Sequence, residues 1–183
     1  DEAWRVHALA EAQQQYEQAL ADGPTPDETV QARLALARLH QRQARRAEAV
    51  DCITQALAAS GRARLYLRVE ARLAGALSWM QDGRADDALG LLASLTADLA
   101  QGPVTRQAQA LTHGAKALRL LGRLDEAMAR EREALALLES APDALAPLGS
   151  ALDGAARLAL ARGEPLEAET LARRAIATFE ACH

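Results

Sequence analysis

Aromatic side chains are nearly missing from this 183-residue chain: five residues, 3% of the sequence, too scattered to stack single-stranded nucleic acid. β-Branched aliphatics are as scarce, with five Val and two Ile, and their absence excludes a sheet protein. Lysine occurs once against 20 Arg, which closes any mechanism needing several lysines. The net charge of −4 and pI near 5.6 have the wrong sign for binding duplex nucleic acid by phosphate neutralisation. No apolar run approaches the ~20 residues of a bilayer span and no signal-peptide pattern opens the chain, so no membrane partner is expected. Cysteine is limited to Cys52 and Cys182, which suits a reduced, cytoplasmic compartment.

What the chain does have is 45 Ala and 30 Leu, the strongest helix formers, within a composition that is 50% apolar. That is far too apolar for disorder and enough to build a helical core. Gly and Pro punctuate it. Gly23-Pro24 ends a first helix, and Thr25-Pro26-Asp27-Glu28 opens the next with an N-cap, a Pro at the first helical position and a capping-box Glu. Further breaks near Ala44, Gly61, Gly83, Gly102-Pro103, Gly122, Pro142 and Gly163-Glu164-Pro165 predict nine helices: 2–21, 27–43, 46–60, 62–81, 84–101, 104–121, 124–140, 143–162 and 165–182.

A repeat emerges around four of these breaks. Seven residues before each of Ala44, Gly83, Gly122 and Gly163 stands an Ala (37, 76, 115, 156), and five after stands another (49, 88, 127, 168). Seven further on come Ala56, Leu95, Ala134 and Ala175, so the units follow one another at 39, 39 and 41 residues. Small residues at these places let the two helices of a pair approach closely, while Ile53, Trp79, Leu92 and Leu118 fill the space between layers.

On these positions the sequence resembles the tetratricopeptide repeat family, with Gly122-Arg123-Leu124-Asp125-Glu126-Ala127 close to that family's favoured turn. Ala12, Tyr16, Ala19 and Pro24 have the spacing of its second-helix signature. The resemblance spans the whole chain. It implies an all-α, right-handed solenoid of antiparallel helix pairs, a single repeat domain over 1–183. A leading helix 2–21 precedes units at about 27–60, 62–101, 104–140 and 143–182. The period exceeds the family's usual ~34 residues, as in the helical sensor domains of bacterial signal-transduction ATPases with a DNA-binding tail and in kinesin light-chain repeats. One family position departs from type: the large residue due four after the second-helix Ala is Glu131 in the third unit and only Ala172 in the fourth. The chain begins on a second-helix signature and ends with Ile176 and Phe179 uncovered. Since solenoids need polar caps, a segment of a longer protein is expected, or ends that self-associate with another copy.

No constellation points to catalysis. His7, His40, His113 and His183 fall in different units, and Cys182-His183 alone cannot supply a metal's three or four ligands. Asp86-Asp87 and Asp125-Glu126 sit where carboxylates complement a helix N-terminus, and no Gly-rich phosphate cradle is present. No enzyme, metal or cofactor is implied. Binding is the stronger expectation. In such solenoids the first helix of each pair lines the concave surface, which selects Gln31, Leu34, Arg38, Gln41 and Arg42 in the first unit. It selects Glu70, Leu73, Leu77, Met80 and Gln81 in the second, and Gln109, Thr112, Lys116, Arg119 and Leu120 in the third. The fourth gives Ser150, Asp153, Arg157, Leu160 and Ala161. Five basic residues against two acids make this groove positive on a negative molecule, with Leu73, Leu77 and Met80 as an apolar floor. Leu34 and Arg38 stand where family members that clamp a C-terminal carboxylate have Asn and Lys, so that subtype is not indicated. The expectation is a non-catalytic protein- or peptide-binding module for a segment with acidic flanks. The alternative is an effector- or partner-sensing domain of a bacterial signal-transduction or transcriptional regulator.

Overall fold

Residues this rich in Ala and Leu leave helix as the only economical backbone, and the computed structural model is helical throughout. It describes residues 2–100, 102–141 and 143–182, with side chains from residue 8 onward. Gln101, Pro142, His183 and the His7 side chain, on which sequence expectations also fell, lie outside the described residues.

Ten helices are present among the described residues: α1 (Glu2–Ala21), α2 (Pro26–Arg42), α3 (Arg46–Ser60), α4 (Leu65–Gln81), α5 (Ala85–Ala93), α6 (Thr96–Leu99), α7 (Val104–Leu120), α8 (Leu124–Glu139), α9 (Leu145–Ala161) and α10 (Pro165–Glu180). The expected single helix 84–101 is two. Ser94 Oγ bonds the Leu91 carbonyl and Thr96 Oγ1 that of Ala93, so hydroxyls compete for carbonyls that a continuing helix would use. At α2 the expected cap is in place: the Glu28 N–H donates to Thr25 Oγ1, and the Thr25 N–H to the Glu28 carboxylate at 2.8 Å.

The repeat is written most clearly in its turns. Ala44, Gly83, Gly122 and Gly163 all adopt positive φ, at 58°, 77°, 75° and 79°. The next N–H then reaches back to a carbonyl five residues earlier: Arg45 to His40, Arg84 to Trp79, Arg123 to Leu118, Glu164 to Ala159, at 2.8–2.9 Å. These are four copies of one helix-ending motif. In three of them the following Arg pairs with an acid three residues on, as Arg45–Glu48, Arg84–Asp87 and Arg123–Glu126 at 2.7–2.9 Å. The repeat alanines and Leu95 are buried, apart from the half-buried Ala168. Gly61, in contrast, ends α3 in ordinary right-handed conformation.

The chain packs as two compact units, Asp1–Ser78 and Trp79–His183. In the first, Val30 and Leu34 of α2, Ala56 of α3, and Leu67 and Ala71 of α4 share a core. Arg64 adds two bonds to Asp27, through its backbone N–H at 2.8 Å and its guanidinium at 2.9 Å. The first helices of consecutive pairs are therefore neighbours, as a stacked repeat requires. Leu9, Ala12 and Leu20 of α1 lie against a second cluster of Leu36, Ala37, Leu39, Cys52 and Ile53, whereas Tyr16 and Ala19 of the proposed α1 signature are exposed. In the second unit α7 packs on α5, α8 and α9, and α9 on α8 and α10. Arg174 to Glu139 at 2.7 Å and Arg132 to Glu167 at 3.6 Å tie α10 to α8.

Candidate functional site

The second unit has a half-open cavity of about 250 Å³ between α7, α8 and α9. Helix α7 contributes Thr112, Ala115, Lys116 and Arg119; α9 contributes Ser150, Asp153, Gly154, Arg157 and Leu158; α8 contributes Glu131. Residues four apart on one helix share a face, so Thr112–Lys116 and Asp153–Arg157 are set there by helical spacing alone. Asp153 and Arg157 pair at 2.9 Å. Lys116 and Arg119 form no ion pair among the described residues, leaving the lining positive.

Glu131 is the exceptional member. It is 1% exposed, in the position where the first two units place Ile53 and Leu92. Desolvation pushes its carboxyl up to about 8, against which the Thr112 hydroxyl bond acts weakly. Oε1 is sealed from solvent and has no hydrogen-bond partner. Opposite it, α9 carries Gly154, and a Cβ there would stand 2.5 Å from Oε1. The close approach of carboxylate to helix backbone thus exists because position 154 has no side chain. On the same helix α7, burial and the Lys116 charge hold His113 down at about 4, an uncharged imidazole at neutral pH.

Of the residues expected in the groove, Thr112, Lys116, Arg119, Ser150, Asp153 and Arg157 meet at this cavity. Gln109 does not line it and accepts from Arg106 at 2.6 Å. In the first unit Arg42 is exposed, and Arg38 lies 3.9 Å from the half-buried Glu70. The apolar floor needs correction. Leu73 and Met80 are buried and Leu77 half-buried, so Leu73 and Met80 are covered by their neighbours and offer no face to a ligand. Leu34 is likewise a core residue. Glu131 and Gly154 lie outside the set of groove residues that the sequence implies. Their signals were a carboxylate at a core position and a glycine inside a helix.

A second cavity, about 310 Å³, opens where α5 gives way to α6. Leu89, Leu92, Leu99, Leu111 and Leu137 line it, with Gln107, Arg130 and Glu133. Among the described residues no cluster could hold a metal, and no helix is long and apolar enough to cross a membrane. Cys52 is buried and Cys182 exposed, both unpaired. On α10, Leu166, Ile176 and Phe179 are exposed.

No protein-family model and no curated protein matches the sequence. Solved structures do. BtubC (BKLC) from P. vanneervenii is 19% identical with a TM-score of 0.80, over 98% of this chain and 76% of that one. A kinesin light chain with nearly identical TPR-like repeats from Podosopora anserina is 19% identical with a TM-score of 0.74, over 94% and 85%. The apo form of RapI is 12% identical with a TM-score of 0.80, over 98% and 67%. At such identities the likeness concerns backbone architecture, and with the four in-phase turns it makes the fold an all-α solenoid of tetratricopeptide-type helix pairs.

Proposed function

We propose that the chain is a non-catalytic interaction module that receives an acidic protein or peptide segment on the face formed by the first helices α7 and α9 of its second unit. The observation that carries this reading is the meeting of Lys116 and Arg119 from α7 with Arg157 from α9 at one cavity, two of them without a partner acid. The repeat fold, shared with other repeat proteins, supports it. The two unpaired thiols suit a cytoplasmic setting. Association of the chain with acidic peptides should weaken as salt rises. Lys116→Ala with Arg157→Ala should slow association while leaving the melting temperature nearly unchanged, since exposed pairs contribute only about 0.2–1 kcal/mol. Salt-independent association, or a double variant that loses several degrees, rejects the reading.

One observation favours a second reading, a sensor domain of a bacterial signal-transduction or transcriptional regulator: the cavity is lined by three helices and has a buried carboxyl in its lining. Self-association is a third outcome, to be seen as a concentration-dependent mass that Ile176→Ser and Phe179→Ser abolish.

A further inference from the structure

We propose that the cavity between α7, α8 and α9 binds a free α-amino acid, with the ligand's ammonium on the Glu131 carboxylate and its carboxylate on Lys116 and Arg119. The proposal stands independently of a protein partner and rests on three features of the lining. First, Glu131 Oε1 is a buried acceptor without a donor. Buried polar atoms are nearly always satisfied, and an orphan of this kind calls for a group that the chain itself does not supply. Second, the space for that carboxylate is kept by Gly154, a glycine in a helix interior where a Cβ would stand 2.5 Å from Oε1. Third, Lys116 and Arg119 line the same cavity without an acid to pair with, while Arg157 is engaged by Asp153 at 2.9 Å.

A simple anion would satisfy Lys116 and Arg119 and leave Oε1 orphaned. A simple cation would reach Glu131 against the repulsion of both. One compact molecule with a donor cation at one end and an acid at the other answers both demands. The cavity, at about 250 Å³, has room for about eight water-sized groups, which suits an amino acid and excludes a folded segment. Oε1 is closed to solvent in the empty cavity, so the Glu131 carboxyl or the side chains around it must shift as the ammonium enters. In the empty cavity burial keeps the Glu131 carboxyl protonated at neutral pH, so an arriving ammonium displaces that proton to solvent as the ion pair forms.

The test is calorimetric titration of the whole chain with each standard amino acid in turn, at neutral pH, in two buffers of different ionisation heat. The expected result is one-to-one binding of at least one amino acid with proton release. Its N-acetyl form and its methyl ester should each bind roughly tenfold or more weakly, as loss of a charge-assisted bond requires. Glu131→Gln, nearly isosteric, should weaken the amino acid by a similar factor and erase the discrimination against the N-acetyl form. Lys116→Ala with Arg119→Ala should erase the discrimination against the ester. Circular dichroism and melting of each variant establish that it is folded. Binding by no amino acid, equal binding of the N-acetyl form, or unchanged affinity in folded Glu131→Gln overturns the proposal. None of these outcomes touches salt-dependent association with acidic peptides, so the two can fail separately.

Discussion

Ile53 and Glu131 occupy the same place in their repeats, four residues after the second-helix alanines Ala49 and Ala127. Both are buried, at 3% and 1% exposure, yet their surroundings differ in kind. Ile53 packs among Leu36, Ala37, Leu39 and Cys52, where apolar contact alone holds the helix pair together. Glu131 meets a hydroxyl from Thr112, bare backbone at Gly154 and a cavity. One architecture thus supports both, because the turn motif and the repeat alanines, rather than this one position, hold the two helices in place. A position can leave the pattern without the fold leaving it, and in a repeat protein such departures stand out against the other units.

The sharpest way to break this comparison is to truncate both side chains. Ile53→Ala removes well-packed methyl groups and should cost about 2–5 kcal/mol in unfolding free energy by urea denaturation. Glu131→Ala also deletes buried atoms but removes an orphaned acceptor, a penalty of about 1–3 kcal/mol. It should therefore stay within about 1 kcal/mol of the parent chain at pH 8. Equal losses for the two would mean that Glu131 serves packing as Ile53 does.

The pH dependence separates the two regions next. Glu131 is raised from 4.5 to about 8 in the folded state, so folding takes up its proton, and stability falls as pH rises through that window. His113 is lowered from 6.5 to about 4, so stability rises with pH between those values. From pH 4.5 to 6.5 the two oppose and nearly cancel. Above 6.5 Glu131 acts alone and should remove about 1.5 kcal/mol by pH 8. Glu28, Glu48 and Glu126, held below their ordinary value by hydrogen bonds, act only as pH falls below 4.5. Glu131→Gln should flatten the decline above pH 6.5. A decline that survives the substitution would assign it to another group.

A double-mutant cycle then tests whether Gly154 exists for the carboxylate. A helix-interior Gly→Ala change gains about 0.5–1 kcal/mol when nothing obstructs the methyl group. That gain should appear for Gly154→Ala in the Glu131→Ala background and vanish when Glu131 is present, a coupling of about 1 kcal/mol. Additive effects would sever the two residues.

Much of this was legible in the sequence, and what was not has identifiable causes. Helix pairs, their turns and the buried alanines follow from spacing, because a left-handed turn residue and a close helix contact each demand a small residue at a fixed place. The break after Ala93 was missed because Ser94 and Thr96 are tolerated in helices until their hydroxyls find carbonyls. In the candidate site, Thr112, Lys116, Arg119, Asp153 and Arg157 follow from helical register. Leu73 and Met80 were misplaced because register alone does not tell a groove-facing apolar residue from one that the neighbouring helix covers. Glu131 was visible as a departure from pattern, but its burial depends on Gly154, 23 residues away in the next repeat, which no local spacing reveals.

The smallest expected effect concerns the turns, where the first repeat again differs from the third. Ala44 has φ 58° where Gly122 has φ 75°, and a residue with a Cβ is strained in this region by about 1–2 kcal/mol. Ala44→Gly relieves that strain but enlarges the freedom of the unfolded chain, which takes back about 0.4–1 kcal/mol. A net gain of about 0.5 kcal/mol is expected, read as a small rise in the denaturation midpoint. Gly122→Ala is the reverse experiment: a Cβ there would meet nothing within 4 Å, so only backbone conformation opposes it. It should lose about the amount that Ala44→Gly gains, since the Arg123 N–H to Leu118 bond at 2.9 Å and its counterpart from Arg45 to His40, also 2.9 Å, hold both turns in the same shape. If Ala44→Gly destabilises instead, the Ala44 methyl group makes a contact worth more than its strain, and the first turn is not a copy of the third.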